Sequence, residues 1–219
     1  MLNKDVIQHF ENIVKNTYKY TSPRPRFNLP FNFRGIYLEA GCGSHVFWDP
    51  EDNTIVGVDI ALSMIQSFQR FHEDTHLLIG DVLNIPIREK CISVLSLNNV
   101  LHHLIGKNKR DTLYNIEKSI NNADKIIMSD GIIVIREFLL KNRIYRDLMY
   151  YITKFCSHFK INIDLLDIKH GVVTHFLLKH EIMRILIGLN YEYTIFSDEL
   201  WKIFGINIGN ISAVKAMKK

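Results

Sequence analysis

Five short apolar runs, each with a polar residue or glycine at or next to its end, constrain this chain more than any other feature. They are GIYLEAG at 35–41, TIVGVDI at 54–60, THLLIGD at 75–81, CISVLSLNN at 91–99 and GIIVIREF at 131–138. Runs this short and this continuous suit buried strands of a parallel sheet. Helical segments fill gaps between them. Leu62–Phe71 follows the second run, and 107–120 follows the fourth with Leu113, Ile116 and Ile120 on one face. Alternating strands and helices predict an α/β, doubly wound sheet.

The two ends of the chain read differently. Leu2, Val6, Phe10, Ile13 and Val14 fall near helical spacing, which predicts an amphipathic helix over 2–19. TSPRPRFNLPFNFRG follows with three of the five prolines and predicts an extended connector, because Pro fixes φ and removes a donor. Beyond the fifth run, 141–160 reads as a long helix rich in Tyr, Leu and Ile, with an irregular stretch to Val173. A further helix is expected over 180–189, with Gly188 and Asn190 as its stop signal. YEYTIFSD at 191–198 and ISAVKAM at 211–217 then predict an antiparallel strand pair, joined by a loop holding Gly205 and Gly209.

Composition removes several alternatives. Hydrophobic residues at 47% and charged residues at 23% are ordinary for a globular chain, and 219 residues suit one large domain. The net charge of +4 is too small for a dedicated nucleic-acid coat protein. All of it sits in residues 1–34, where Lys4, Lys15, Lys19, Arg24, Arg26 and Arg34 face only Asp5 and Glu11. Cys42, Cys91 and Cys156 form no disulfide framework, and no Cys/His cluster suggests a metal, so a reducing cytoplasm is expected. The N-terminus carries charges through what would be the apolar core of a signal peptide, and no apolar run approaches a membrane span.

The chemistry gathers at the ends of the apolar runs. LEAGCGSH (38–45) directly follows the first, and Gly41 and Gly43 permit a tight turn and close ligand approach. A dinucleotide cradle would place a third Gly where His45 stands, so a pyrophosphate site and a nicotinamide-dependent reductase are the poorer readings. The second run ends at Asp59, whose carboxylate can accept two hydrogen bonds from a ribose diol. The third ends at Gly80-Asp81 and continues Val82-Leu83, which suits an adenine ring with Asp81 taking the exocyclic amine. The fourth ends at Asn98-Asn99-Val100, followed by Leu101-His102-His103-Leu104. Each acid alone is more simply a helix cap. Their order, each at the carboxyl edge of a parallel strand, favours a nucleoside site.

With these residues assembled, the sequence resembles the class I S-adenosylmethionine-dependent methyltransferases, of the type 11 kind. LEAGCGS matches the glycine motif, IVGVDIALSMI the ribose-acid motif, GDVLNIPI the adenine motif and VLSLNNVLHHL the strand-four motif. The resemblance implies a Rossmann-like, seven-stranded, mostly parallel sheet with an antiparallel C-terminal strand pair and helices on both faces. It implies a single domain over 1–219, with 1–34 capping the site and 139–176 inserted as a substrate cap. It implies S-adenosylmethionine as cofactor. Glu39, Gly41 and Gly43 would line its methionine moiety, Asp59 its ribose, and Ile60 and Met64 its adenosine. Asp81 and Val82 would hold the adenine, and Asn98 and Asn99 the methionine end through backbone groups. Ala61 stands where the family has a capping Ser, which removes about 1 kcal/mol of cap energy from the next helix. The segment HVFWDPEDN leaves room for at most a short first helix. The shortened span from the glycine turn to Asp59 resembles wobble-uridine tRNA methyltransferases, and the LHHL ending is shared with ubiquinone/menaquinone-type enzymes.

His103 and His102 are the candidate bases, following strand four near the expected methyl position. Tyr18, Tyr20, Glu137 and Tyr150 are candidate substrate contacts, and His170 and His175 flank a region that would form part of a lid. Tyr145, Met149, Tyr150, Tyr151, Phe155 and Phe159 make an aromatic stripe that reads equally as core or as an apolar pocket wall. A small-molecule acceptor is the leading expectation, with no membrane partner. An RNA acceptor is second, resting on the basic charge of residues 1–34, and a non-catalytic partner protein with the same fold is third.

Overall fold

The computed structural model describes residues 7–8, 11–12, 26–163, 172–203 and 206–219. The chain divides into two compact units, residues 1–98 with 121–134, and residues 99–120 with 135–219.

The first unit is built on parallel strands. β2 (Ile36–Ala40) pairs with β4 (Thr54–Asp59) and β6 (Ile92–Asn98), and β4 pairs with β5 (His76–Ile79). Tyr37, Leu38, Val58, Val94, Leu95 and Leu97 are completely buried, which is why their segments read as continuous apolar runs. Helix α1 (Leu62–Phe71) lays Met64, Ile65 and Phe68 against this sheet side and leaves Gln66 and Arg70 outside. The Pro-rich connector is more structured than the sequence implies. Its Phe27–Asn28 forms a two-residue strand, β1, parallel to β3 (Trp48–Asp49), and Phe27 stacks on Phe47 with centroids 4.8 Å apart. No helix forms between Gly41 and Thr54; β3 and turns take that space.

Two elements pass from one unit to the other. Helix α2 (Lys109–Ile126) runs six residues beyond its expected end at Ile120. Ala123 and Ile126 continue the buried face of Ile116 and Ile120, and this burial overrides the poor helix preference of Asn121 and Asn122. Strand β7 (Ile127–Leu140) follows at once and starts four residues before the expected position. Its exposed Met128, Ser129 and Asp130 hid that extension, because they resemble a loop in sequence. The strand order is β5-β4-β2-β6-β7-β10-β9, where β9 is Tyr191–Ile203 and β10 Ile206–Lys218: seven strands in a mostly parallel sheet that ends in an antiparallel pair, as the sequence leads one to expect.

In the second unit β9 (Tyr191–Ile203) and β10 (Ile206–Lys218) form the antiparallel hairpin. Both strands are far longer than the expected 191–198 and 211–217. Gly209 is not in the connecting loop: it lies inside β10, where an added Cβ would sit 2.2 Å from the Leu139 carbonyl. Close backbone approach, not a turn, therefore explains this glycine. Helix α3 (Arg143–Phe159) is capped by the Asn142 side chain, which accepts from the Tyr145 amide at 3.0 Å. Helix α4 (Lys179–Gly188) follows a short strand, β8 (Leu177–Leu178), that adds in parallel to β7. Leu140, Met149, Cys156, Phe176, Leu178 and Ile208 pack as this unit's core between these elements.

Candidate active site

Strand order reverses between β2 and β6, so the chain leaves their carboxyl ends in opposite directions, the place where open sheets of this kind bind ligands. Gly41 (φ 71°) and Gly43 (φ 55°) begin the turn beyond β2 in the left-handed region. The amides of Gly41 and Cys42 both donate to the Val58 carbonyl, at 2.8 and 3.0 Å, which ties the turn to β4. A Cβ on Gly43 would meet nothing within 4 Å, so the space beside it is open to a ligand. His45 needs no positive φ, and its amide closes the turn onto the Cys42 carbonyl at 3.3 Å. The third glycine of a dinucleotide turn is therefore unnecessary here.

Asp59 joins this turn to the next. Its Oδ2 accepts from the Gly43 amide at 2.8 Å and its Oδ1 from the Ala61 amide at 2.9 Å. Burial pushes its carboxyl above the usual range, opposed by the amides of Ala61, Gly43 and Ile60. A carboxylate has about four acceptor positions, so these amides do not exhaust its capacity for a ligand hydroxyl. Ile60 is half-buried and Met64 buried. Asp81 is held the same way: its Oδ1 accepts from the Leu83 amide at 2.8 Å, and Asn84 donates to its carbonyl at 2.7 Å. Val82 packs beside it, 7% exposed.

Glu39 points elsewhere. It is 1% exposed, accepts from the Ser96 hydroxyl at 2.9 Å and takes a short hydrogen bond from Tyr37. Burial raises its carboxyl to about 7, against the lowering effect of those hydrogen bonds. Its side chain stiffens the strand that carries the glycine turn. Among the described residues of this unit, Asn98 Oδ1 and Ser63 Oγ are buried without a hydrogen-bond partner. Buried polar atoms are normally satisfied, so such orphans point to a polar ligand.

Sequence reasoning missed one residue of this unit. Glu11 is buried and its Oε1 accepts from the Ser63 amide at 3.1 Å. It caps α1 from 52 residues away, in place of the side chain that Ala61 lacks.

The second unit carries a histidine cluster. Leu101–His103 forms a single 3₁₀ turn after Asn99, a residue at φ 52° whose amide donates to the Arg136 carbonyl at 2.8 Å. That amide is thus already engaged, while Asn99 Oδ1 is buried without a partner. Glu137 is 1% exposed, not in solvent, and both its oxygens are used. Oε1 accepts from the Leu101 amide at 2.7 Å and Oε2 lies 2.7 Å from His102 Nδ1. A carboxylate only accepts, so Nδ1 carries the proton and Nε2 is left as the basic nitrogen. Phe176 stacks on the His102 ring at 5.2 Å and fixes its plane. His103, 4.1 Å from that ring, is pushed well below the ordinary imidazole value by burial and by His102. No sequence signal joins Glu137 to His102; the pairing depends on a turn and a strand 35 residues apart.

The aromatic stripe of α3 divides between two environments. Met149 is buried and Tyr145 and Tyr150 are half-buried, whereas Tyr151, Phe155 and Phe159 are exposed. His175 is 1% exposed and meets Tyr150 edge-on at 5.9 Å. Tyr18, Tyr20 and His170 lie outside the described residues, as do Lys4, Lys15, Lys19 and Arg24. Arg26 is described and engaged, 2.7 Å from His72 Nδ1 and 3.8 Å from Asp49. All three cysteines are free thiols. Among the described residues no group of His, Cys, Asp and Glu is arranged to hold a metal, and no helix is long and apolar enough to cross a membrane.

Residues 38–135 match the family model of a methyltransferase domain of type 11. No curated protein matches the chain. Solved structures do. A SAM-dependent methyltransferase from Methanosarcina mazei is 12% identical, with TM-score 0.61, over 84% of this chain and 92% of that one. A Thermotoga maritima SAM-dependent methyltransferase, described as a possible histamine N-methyltransferase, is 13% identical with TM-score 0.56, over 97% and 89%. Geranyl diphosphate C-methyltransferase from Streptomyces coelicolor, solved with S-adenosyl-L-homocysteine, is 10% identical with TM-score 0.54, over 84% and 73%. At these identities the likeness is one of fold.

Proposed function

We propose that this chain, which carries an S-adenosylmethionine-dependent methyltransferase domain, transfers a methyl group to a small-molecule acceptor. The observation that carries the cofactor reading is Asp59, held at the end of β4 by the amides of Gly43 and Ala61. A carboxylate fixed beside an open glycine turn suits a ribose diol. Asp81 and Val82 suit the adenine, Gly41 and Gly43 the methionine moiety, and the unpaired Asn98 Oδ1 its ammonium group. When bound, the cofactor supplies a methyl on a sulfonium, already an activated leaving group.

The chain then has two tasks. It aligns the acceptor, which can supply ~7–11 kcal/mol, and it removes a proton where the acceptor must lose one. His102 Nε2 is the base in this reading, and Glu137 is a positioning residue that holds the tautomer. His103, held neutral by burial, is the second candidate. Support for a small acceptor comes from the solved neighbours that name one, histamine and geranyl diphosphate.

The test joins binding to transfer. Calorimetry with S-adenosylhomocysteine should show Asp59→Ala weakening affinity by roughly 1.5–3 kcal/mol, with the fold checked by circular dichroism. Labelled methyl should pass to members of a small-molecule panel. Unchanged affinity would remove Asp59 from the cofactor site, and transfer to RNA alone would overturn the acceptor class.

A further inference from the structure

A groove of about 870 Å³ lies wholly within the second unit, bordered by Lys109, Arg110, Lys141, Arg143, Arg146 and His175. Two of its five cations are answered: Lys109 pairs with Asp147 at 2.7 Å and Arg146 with Glu181 at 2.6 Å. Arg110, Lys141 and Arg143 have no carboxylate partner among the described residues. Three helices also begin here. α2 starts at Lys109, α3 at Arg143 and α4 at Lys179, with Leu178, His180 and Glu181 on the groove wall. Asn108, Asn142 and Glu181 each answer one amide at these ends, and the ends keep further first-turn amides and a positive dipole, where basic residues are unfavourable. α3 opens on Arg143 with no acid in its first turn, and α2 on Lys109 and Arg110 against Asp111; the uncompensated cations cost stability, and an anion in the groove would offset it.

His175 is the independent sign of a ligand. It is 1% exposed, lines the groove, and neither ring nitrogen has a hydrogen-bond partner among the described residues. Burial, then Arg146, lowers it to about 4, so it is a neutral imidazole with one N–H to donate. A buried unpaired donor is costly, and a ligand oxygen is what would satisfy it.

We infer that this groove binds the phosphoryl group of a small molecule. Three unanswered cations, three helix N-termini and one imidazole donor call for several oxygens carrying more than one charge, and the arginine fork matches phosphate oxygens two at a time. The volume is that of a small-molecule site. A nucleic acid would need an extended basic track, whereas residues 35–219 carry no net charge. Phosphoryl binding stands without the methyltransferase reading; only the bound molecule's being the methyl acceptor rests on it.

The experiment titrates pyrophosphate into the full chain by calorimetry at low salt. Saturable binding is expected, weakened at least tenfold by the double variant Arg110→Ala/Arg143→Ala and several-fold by His175→Ala. Arg110 and Arg143 are exposed, so their loss spares the fold even where that of His175 does not. Lys118→Ala/Lys125→Ala removes two exposed α2 cations outside the groove and should change nothing. Absence of saturable binding, or binding indifferent to the Arg110/Arg143 pair, overturns the site. Tighter binding of a single-stranded RNA through the same arginines overturns the small-molecule assignment. Binding of pyrophosphate by a chain that does not bind S-adenosylhomocysteine would keep the groove and sink the methyltransferase reading.

Discussion

The acids of the first unit and the cations of the second are held by different means. Asp59 and Asp81 are answered by backbone amides two residues away and, for Asp59, by the glycine turn. Their geometry follows from local chain direction once a strand ends. In the second unit the charged groups are answered by side chains far along the chain: Glu137 reaches His102 and Glu181 reaches Arg146, each across 35 residues. Others, such as Arg143 and His175, are answered by nothing among the described residues. Backbone anchoring makes a rigid cradle for one invariant molecule. In the proposed reading, side-chain pairing makes a site that can be retuned for different acceptors, because no backbone has to move.

The comparison breaks most visibly if the histidine cluster is inert. Replacing His102 by Ala should lower the methyl-transfer kcat by ~10²–10⁴-fold while leaving S-adenosylhomocysteine affinity unchanged. Glu137→Gln keeps a hydrogen-bond acceptor but loses the charge, so it should fall short of that loss and shift the pH profile of kcat. A His102→Ala enzyme with wild-type kcat would mean that acceptor alignment alone carries the reaction.

Glu39 sharpens the first half of the comparison, because it is a fully buried acid of that unit answered by side chains, Tyr37 and Ser96. Its folded value of about 7 lies above the ordinary carboxylate value of the unfolded chain. Between the two, the native state keeps a proton that the unfolded state has lost, so stability falls as pH rises through that window and levels off above about 7. The size of the fall is on the order of 3 kcal/mol. Denaturant melts from pH 4 to 8 should show it, and Glu39→Gln should flatten it. A Glu39→Gln profile with the same slope would assign the effect to another group.

Legibility in the sequence follows the same division. β2, β4 and β6 stand within a residue of their expected bounds, since strands buried on both faces leave continuous apolar runs. α1 matches its expected span at both ends. The glycine turn and the acids after β4 and β5 were legible because local spacing sets their geometry. β7, β9 and β10 outran expectation where exposed residues such as Met128–Asp130, or a packing glycine such as Gly209, imitate loops. The His102–Glu137 pair and the groove's cations were illegible as a set, since only tertiary contact joins them.

Glu11 gives the smallest effect and the finest test, because it is the point where the first unit uses a distant side chain to do a local job. Ala61 has extended backbone suited to an N-cap but no oxygen, and Glu11 supplies one to the Ser63 amide. Glu11→Ala should therefore cost about 1 kcal/mol, the ordinary worth of a cap, read as a lower denaturation midpoint with unchanged m-value. Ala61→Ser alone should add little, since the amide it would serve is already bonded. In the Glu11→Ala background the same substitution should return most of the loss, because the new hydroxyl then serves an orphaned donor. The two substitutions are predicted to couple by about the full cap energy in a double-mutant cycle. Strict additivity would show that Glu11 stabilises the chain by packing or charge, and that α1 runs uncapped.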